Sequence, residues 1–125
     1  MPKNANAKKG IPSRSRIFAT VVYPESAPAD WLERLEGAHI SAMVSPLHCR
    51  DTLPTGEQKK EHYHVLWRYD GVKTPAQAQE VVDLIGGAGA VEIVADFRGY
   101  ARYLVHLDSP DKAQYSPEDI KCFGG

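Results

Sequence analysis

Along this chain short apolar runs alternate with amphipathic stretches, and the spacing within each predicts the element it forms. Ile17 to Tyr23 is rich in β-branched and aromatic residues and is closed by Pro24, the pattern of a strand. Ser26 and Pro28 then offer a helix start, Trp31, Leu32 and Leu35 an apolar face, and Gly37 a stop. Ile40 to Ser45 reads as a second strand, followed by a polar loop from about Cys49 to Lys60 that contains Pro54 and Gly56. Glu61 to Tyr69 alternates with period two and reads as a third strand. Thr74-Pro75-Ala76-Gln77 has the form of a capping box with proline at the first helical position, and Ala78, Val81, Val82 and Ile85 follow at helical spacing before Gly86-Gly87. Ala90 to Ala95 predicts a fourth strand, and Asp96 caps a third helix running to about Leu107. From Ser109 the chain reads as an irregular tail with a short helix at Pro117-Glu118-Asp119-Ile120.

This order, β-α-β-β-α-β plus one helix, predicts an α+β fold: a ferredoxin-like or RRM-like antiparallel sheet with the first and third strands central and two helices on one face. At 125 residues the chain supports one core, so the expected organisation is a flexible basic leader over 1–15 and a single domain over 16–125. The leader lacks the apolar segment of a signal peptide and no apolar run reaches membrane-spanning length, which points to a cytoplasmic protein without a membrane partner. Two widely separated cysteines, Cys49 and Cys122, suggest neither a disulfide framework nor a ribbon-type zinc site. A net charge of −1 argues against a strongly electrostatic nucleic-acid binder, but the distribution qualifies this. Lys3, Lys8, Lys9, Arg14 and Arg16 stand in an acid-free leader, and Arg50, Lys59, Lys60, Arg98 and Arg102 recur near the residues with chemistry.

That chemistry begins on the third strand. His62 and His64 share a face with Leu66 and Arg68, while Tyr63, Val65 and Trp67 share the other. The apolar face is expected to pack under the helices, leaving two imidazoles side by side on the opposite, helix-free face. His-x-His on a strand is by itself a weak signal, more often a pair of surface or hydrogen-bonded histidines than a metal site; the neighbouring Ser45-Pro46-Leu47-His48-Cys49-Arg50-Asp51 shifts the balance. His48 and Asp51, three apart, need a turn at Cys49-Arg50 to reach one ion. With that turn, His48, Asp51, His62 and His64 make a three-histidine, one-carboxylate set suited to Mn or Mg in phosphate chemistry and open to Zn, Co or Ni. Cys49 is a rival ligand, though a small, partly buried thiol is its expected role.

Taken together, Val22-Tyr23-Pro24-Glu25-Ser26 with Trp31, Ser45-Pro46-Leu47-His48 with Asp51, His62-Tyr63-His64-Val65-Leu66, Tyr103-Leu104-Val105-His106, and Tyr115 with Asp119-Ile120 resemble the HUH endonucleases, specifically plasmid rolling-circle replication initiators of the RepB class. The resemblance implies a divalent metal, Mn or Mg, held by His48, Asp51, His62 and His64, and a DNA-attacking nucleophile at Tyr103. It implies origin DNA, single-stranded or locally melted, as partner, with the host polymerase and helicase engaged indirectly. In the wider family a lysine often follows the tyrosine by three or four positions; His106 and Leu107 stand there instead. RepB-class initiators are commonly longer, so this chain is expected to be a nuclease domain whose oligomerisation domain lies C-terminal to it.

On the third helix, Phe97, Ala101, Leu104 and Val105 form the expected core stripe and Tyr100, Tyr103 and Leu107 an adjoining flank. Tyr100 is therefore a competing nucleophile. Arg50, Lys59, Lys60, Arg98 and Arg102 are candidate DNA contacts, Tyr100 a base-stacking group, and His106 a residue that supports the metal ligands from behind, a DNA contact or a surface histidine. Attack by the tyrosine leaves a 5′-phosphotyrosine and a free 3′-hydroxyl for a polymerase. The competing readings are a relaxase or transposase of the same chemistry, a non-catalytic nucleic-acid-binding module with a structural zinc, and a metal hydrolase whose nucleophile is water.

Overall fold

A computed structural model of the chain describes residues 14–108 and 111–124. Its sheet contains β1 (Ser15–Val22), β2 (Ser41–Val44), β3 (Tyr63–Lys73), β4 (Ala88–Ile93) and β5 (Lys121–Phe123), in the spatial order β4-β1-β3-β2-β5 with every pairing antiparallel. The helices are α1 (Trp31–Gly37), α2 (Pro75–Ile85) and α3 (Phe97–Tyr103), with a 3-10 turn at Pro117–Asp119. The α+β class and the central placement of β1 and β3 agree with the hydrophobic pattern.

The apolar set of β3 does pack under two helices. Phe18, Val22, Val65 and Trp67 from the sheet meet Trp31 and Leu35 of α1 and Ala78, Val81, Val82 and Ile85 of α2 in the main core. The capping box at the start of α2 forms as its sequence requires: the Thr74 side chain accepts from the Gln77 N–H, and the Gln77 side chain accepts from the Thr74 N–H. Gly86 closes the helix at φ 73°, and a Cβ there would stand 2.5 Å from Pro28 Cδ, so the loop before α1 packs onto a position that glycine keeps open.

Several expectations are corrected. The opposite sheet face is not helix-free: α3 crosses it, and Phe97, Tyr100 and Ala101 pack against Ala19, Leu66 and Val94 in a second, smaller cluster. α1 starts at Trp31 rather than at Ser26 or Pro28, because Ser26 and Ala27 both donate to the Tyr23 carbonyl and spend those residues on a turn. β3 continues past Tyr69 to Lys73, where it pairs with Ser15 across a bulge in β1. The expected irregular tail contains β5, which pairs with β2 and adds a fifth strand. α3 stops at Tyr103; the His106 N–H then reaches the Tyr103 carbonyl and the Leu107 N–H the Arg102 carbonyl, a Schellman-type closure with His106 at φ 59° where glycine is usual. Ser15, placed by its sequence in the leader, begins β1; leader residues 1–13 lie outside the described residues.

Candidate functional site

The pairing of β2 with β3 outlasts β2 itself. Beyond Ser45, the His48 N–H donates to the His62 carbonyl at 2.8 Å and the His62 N–H returns to His48 at 3.3 Å, which sets the two imidazoles side by side. The chain then bends at Arg50 and brings Asp51 back, so that Asp51 Oδ2 lies 3.1 Å from His48 Nδ1. The turn that the spacing demanded therefore exists. On β3, His64 projects to the same face as His62, its N–H held by the Ser45 hydroxyl at 2.9 Å. His106, swung inward by its left-handed backbone, makes the fourth imidazole. Four of the chain's five histidines are thus buried around one carboxylate.

How these rings are held fixes what they offer. His48 Nε2 lies 2.6 Å from the Leu104 carbonyl, His62 Nδ1 2.7 Å from the Lys60 carbonyl, and His106 Nδ1 2.9 Å from the Ala113 carbonyl. A carbonyl only accepts, so each of these nitrogens carries the proton. In a neutral imidazole the other nitrogen is then a bare lone pair. Those three, His48 Nδ1, His62 Nε2 and His106 Nε2, face Asp51 Oδ2 at 3.1, 3.6 and 3.9 Å.

Burial opposes relief by protonation. It holds the His64 imidazole down to about 3, helped by the neighbouring histidines, and it lowers His48 against the opposing pull of the Leu104 carbonyl and Asp51. His64 Nδ1 is buried without a hydrogen-bond partner among the described residues. For Asp51, burial by itself raises the carboxyl, but the Tyr115 hydroxyl and the fields of His48 and His106 outweigh it and the net direction is down. Lone pairs converging on a carboxylate with no proton between them fit a divalent cation, and inward nitrogens oriented by outer hydrogen bonds are how metal-binding histidines are built. The donors fall into two overlapping triads, His48–His62–His64 and His48–Asp51–His106, each with ligand atoms within 4.8 Å of one another. His106 is closer to Asp51 than its position after the tyrosine suggested.

Beside this cluster opens a cavity of about 910 Å³, lined among others by Asp51, His62, His64 and His106, the basic Lys59, Lys60 and Lys112, and Tyr103. Tyr103 closes α3 with its ring 5.1 Å from the His64 ring and 39% of its surface exposed. Burial, Glu92 and Asp51 raise its phenol. Tyr100, the competitor, does not line the cavity; its hydroxyl donates to Glu92 at 3.4 Å, and burial together with that carboxylate pushes its phenol far up.

The predicted basic contacts divide. Lys59 and Lys60 stand at the cavity, Lys60 also reaching Glu25 at 3.4 Å. Arg98 is exposed away from it, Arg102 is paired with Asp108 at 2.7 Å, and Arg50 turns to the Gln114 carbonyl and the Tyr115 ring. Cys49 is half-buried and belongs to neither triad. Three groups had no role in the sequence reading: Lys112, 5.9 Å from the Tyr103 ring centroid; the Leu104 carbonyl; and Tyr115, whose hydroxyl donates to Asp51 at 2.6 Å. Leu104 is the C-cap of α3, and Lys112 and Tyr115 come back to the cluster after the chain reversal that follows it, a segment with no periodic signal.

Residues 11–125 match the family described as plasmid replication protein, origin binding domain. This chain belongs to that family. It is 44% identical over 113 residues to a replication protein of Staphylococcus aureus, covering 90% of this chain and 56% of that protein. It is 42% identical over 123 residues to the replication protein RepB of Lactiplantibacillus plantarum, covering 98% of this chain and 55% of that protein. A RepB of Streptococcus agalactiae is 32% identical over 118 residues. The chain spans about half the length of these relatives. Family membership makes this an origin-binding domain of the plasmid replication protein type. No helix among the described residues is long and apolar enough to cross a membrane.

Proposed function

We propose that this origin-binding domain nicks and rejoins one strand of its plasmid origin in a divalent-metal-dependent reaction with Tyr103 as nucleophile. One observation carries the reading: an accessible tyrosine packs against a histidine of a buried lone-pair cluster and opens into the same cavity. His48, Asp51, His62 and His64 hold the ion. With three imidazoles and one carboxylate they favour Mn over Mg, which prefers all-oxygen sites, and they accept Zn, Co or Ni. When bound, the ion supplies Lewis-acid neutralisation of a scissile phosphate.

The residues of the chain do the rest. Lys59, Lys60 and Lys112 at the cavity rim receive the phosphates of a single-stranded or locally melted origin. The Tyr103 oxygen attacks phosphorus in line; the Tyr–O–P bond forms, the P–O3′ bond breaks, and the proton lost by the phenol is balanced by one gained at the 3′-oxygen. The products are a 5′-phosphotyrosine and a 3′-hydroxyl that primes a host polymerase, and reversal by a 3′-hydroxyl reseals the strand. Tyr103 starts from a phenol raised by its surroundings, so the cations around the cavity must offset that penalty.

The test is a labelled single-stranded origin oligonucleotide incubated with the domain and Mn. A covalent adduct stable to denaturing gel electrophoresis is expected, lost in Tyr103→Phe and kept in Tyr100→Phe. Cleavage that releases free 5′-phosphate without an adduct assigns the attack to water and rejects the reading; loss of the adduct in Tyr100→Phe alone moves the nucleophile one turn back.

A further inference from the structure

Tyr115 lies 64 residues beyond Asp51 in sequence and makes its shortest side-chain contact, a hydroxyl donating to Oδ1 at 2.6 Å. The direction of that bond is fixed. The Asp51 carboxylate has no proton to donate, so the hydroxyl's single proton goes to Oδ1, while the Arg50 backbone N–H donates to the hydroxyl oxygen at 3.0 Å. The ring is anchored as firmly: it stacks on His48 at 4.4 Å with an interplanar angle of 5°, and the Arg50 guanidinium sits 4.8 Å from its centroid. At 9% exposure, this is a buried group with both hydrogen-bonding functions spent on one residue and its neighbour.

The consequence falls on the other carboxylate oxygen. Oδ1 faces Tyr115, and Oδ2 faces the inward nitrogens of His48, His62 and His106. A carboxylate free to turn binds a cation through either oxygen or through both. We propose that Tyr115 is a positioning residue for Asp51: by engaging Oδ1 it holds the carboxylate as a single-oxygen donor through Oδ2. This rests on the metal reading above and adds to it a residue from the chain reversal after α3. Orienting groups of this kind typically change metal affinity by about 10- to 100-fold.

Tyr115→Phe removes the hydroxyl and keeps the ring on His48. Mn²⁺ is titrated calorimetrically into the wild type, Tyr115→Phe, Asp51→Asn and the double variant, with circular dichroism and thermal unfolding of the metal-free proteins alongside. Tyr115→Phe is expected to weaken the Mn²⁺ Kd about tenfold or more with its circular dichroism unchanged, and to weaken it no further in the Asp51→Asn background. A purely structural tyrosine would lower the unfolding temperature and leave the Kd within twofold of wild type, or weaken binding equally in both backgrounds. Either result overturns the inference while a loss of binding in Asp51→Asn keeps the metal reading standing. If the wild type binds no Mn²⁺, or Asp51→Asn and His62→Ala bind as it does, the metal reading fails and this inference with it.

Discussion

The two faces of the sheet are built to opposite rules. Under α1 and α2, β1 and β3 contribute Phe18, Val22, Val65 and Trp67, side chains whose burial stabilises the fold, and the Thr20 hydroxyl is the one buried side-chain atom without a partner there among the described residues. On the other face the same strands are covered by α3 and the chain after it, and what they bury includes His48, Asp51, His62, His64 and His106. Lone pairs face lone pairs there, and one imidazole nitrogen has no partner among the described residues. The first face is where the domain gains its stability. The second gives some of it up to keep unprotonated imidazole nitrogens assembled around one carboxylate.

The largest way to probe that contrast is to empty the stabilising face. Trp67→Ala, at a fully buried position, is expected to cost about 3–5 kcal/mol in urea unfolding. A loss below 1 kcal/mol would mean that the face under α1 and α2 is not the source of stability. Acid comes next. Below about 6.5 the unfolded chain takes up protons on histidines that the folded chain keeps neutral, His64 being held down to about 3. Stability is therefore full above 6.5 and declines as pH falls towards 3, with Asp51 adding to the decline only below 3.8. Urea midpoints of the metal-free domain at pH 7.5 and 5 measure it, and equal midpoints would break the comparison.

A smaller effect has the opposite sign. His64→Leu replaces an unpartnered buried nitrogen with an apolar group, so the metal-free domain should gain about 1 kcal/mol while Mn²⁺ binding weakens at least about tenfold. A variant that loses both stability and binding would make His64 an ordinary core residue. Smallest is Thr74→Ala at the capping box, expected to cost about 1 kcal/mol and to leave Mn²⁺ binding unchanged, since α2 lies wholly on the other side of the sheet.

How much of this was readable in the residues follows the same division. The face under α1 and α2 was legible because its order is local: period two in β3, helical spacing and a capping box in α2. His48, Asp51, His62 and His64 were also legible as neighbours, since two adjacent strands and one bend bring them together. What escaped depends on chain reversal. His106 was placed on a helix that the backbone ends at Tyr103, and a histidine in the left-handed closing position gives no warning, since glycine normally marks it. β5 has three residues, too few for periodicity, and only its pairing with β2 makes it a strand. Tyr115 required knowing where a segment with no regular structure returns.

The three outer anchors of the histidine cluster are the carbonyls of Lys60, Leu104 and Ala113. No side-chain substitution deletes a carbonyl. The protonation pattern of the cluster is thus insured by the main chain, and the residues supplying those anchors are free to vary in side chain, from Lys60 at the cavity to the buried Leu104. A mutational scan that reads importance from side chains alone will pass over the groups that keep these rings facing inward.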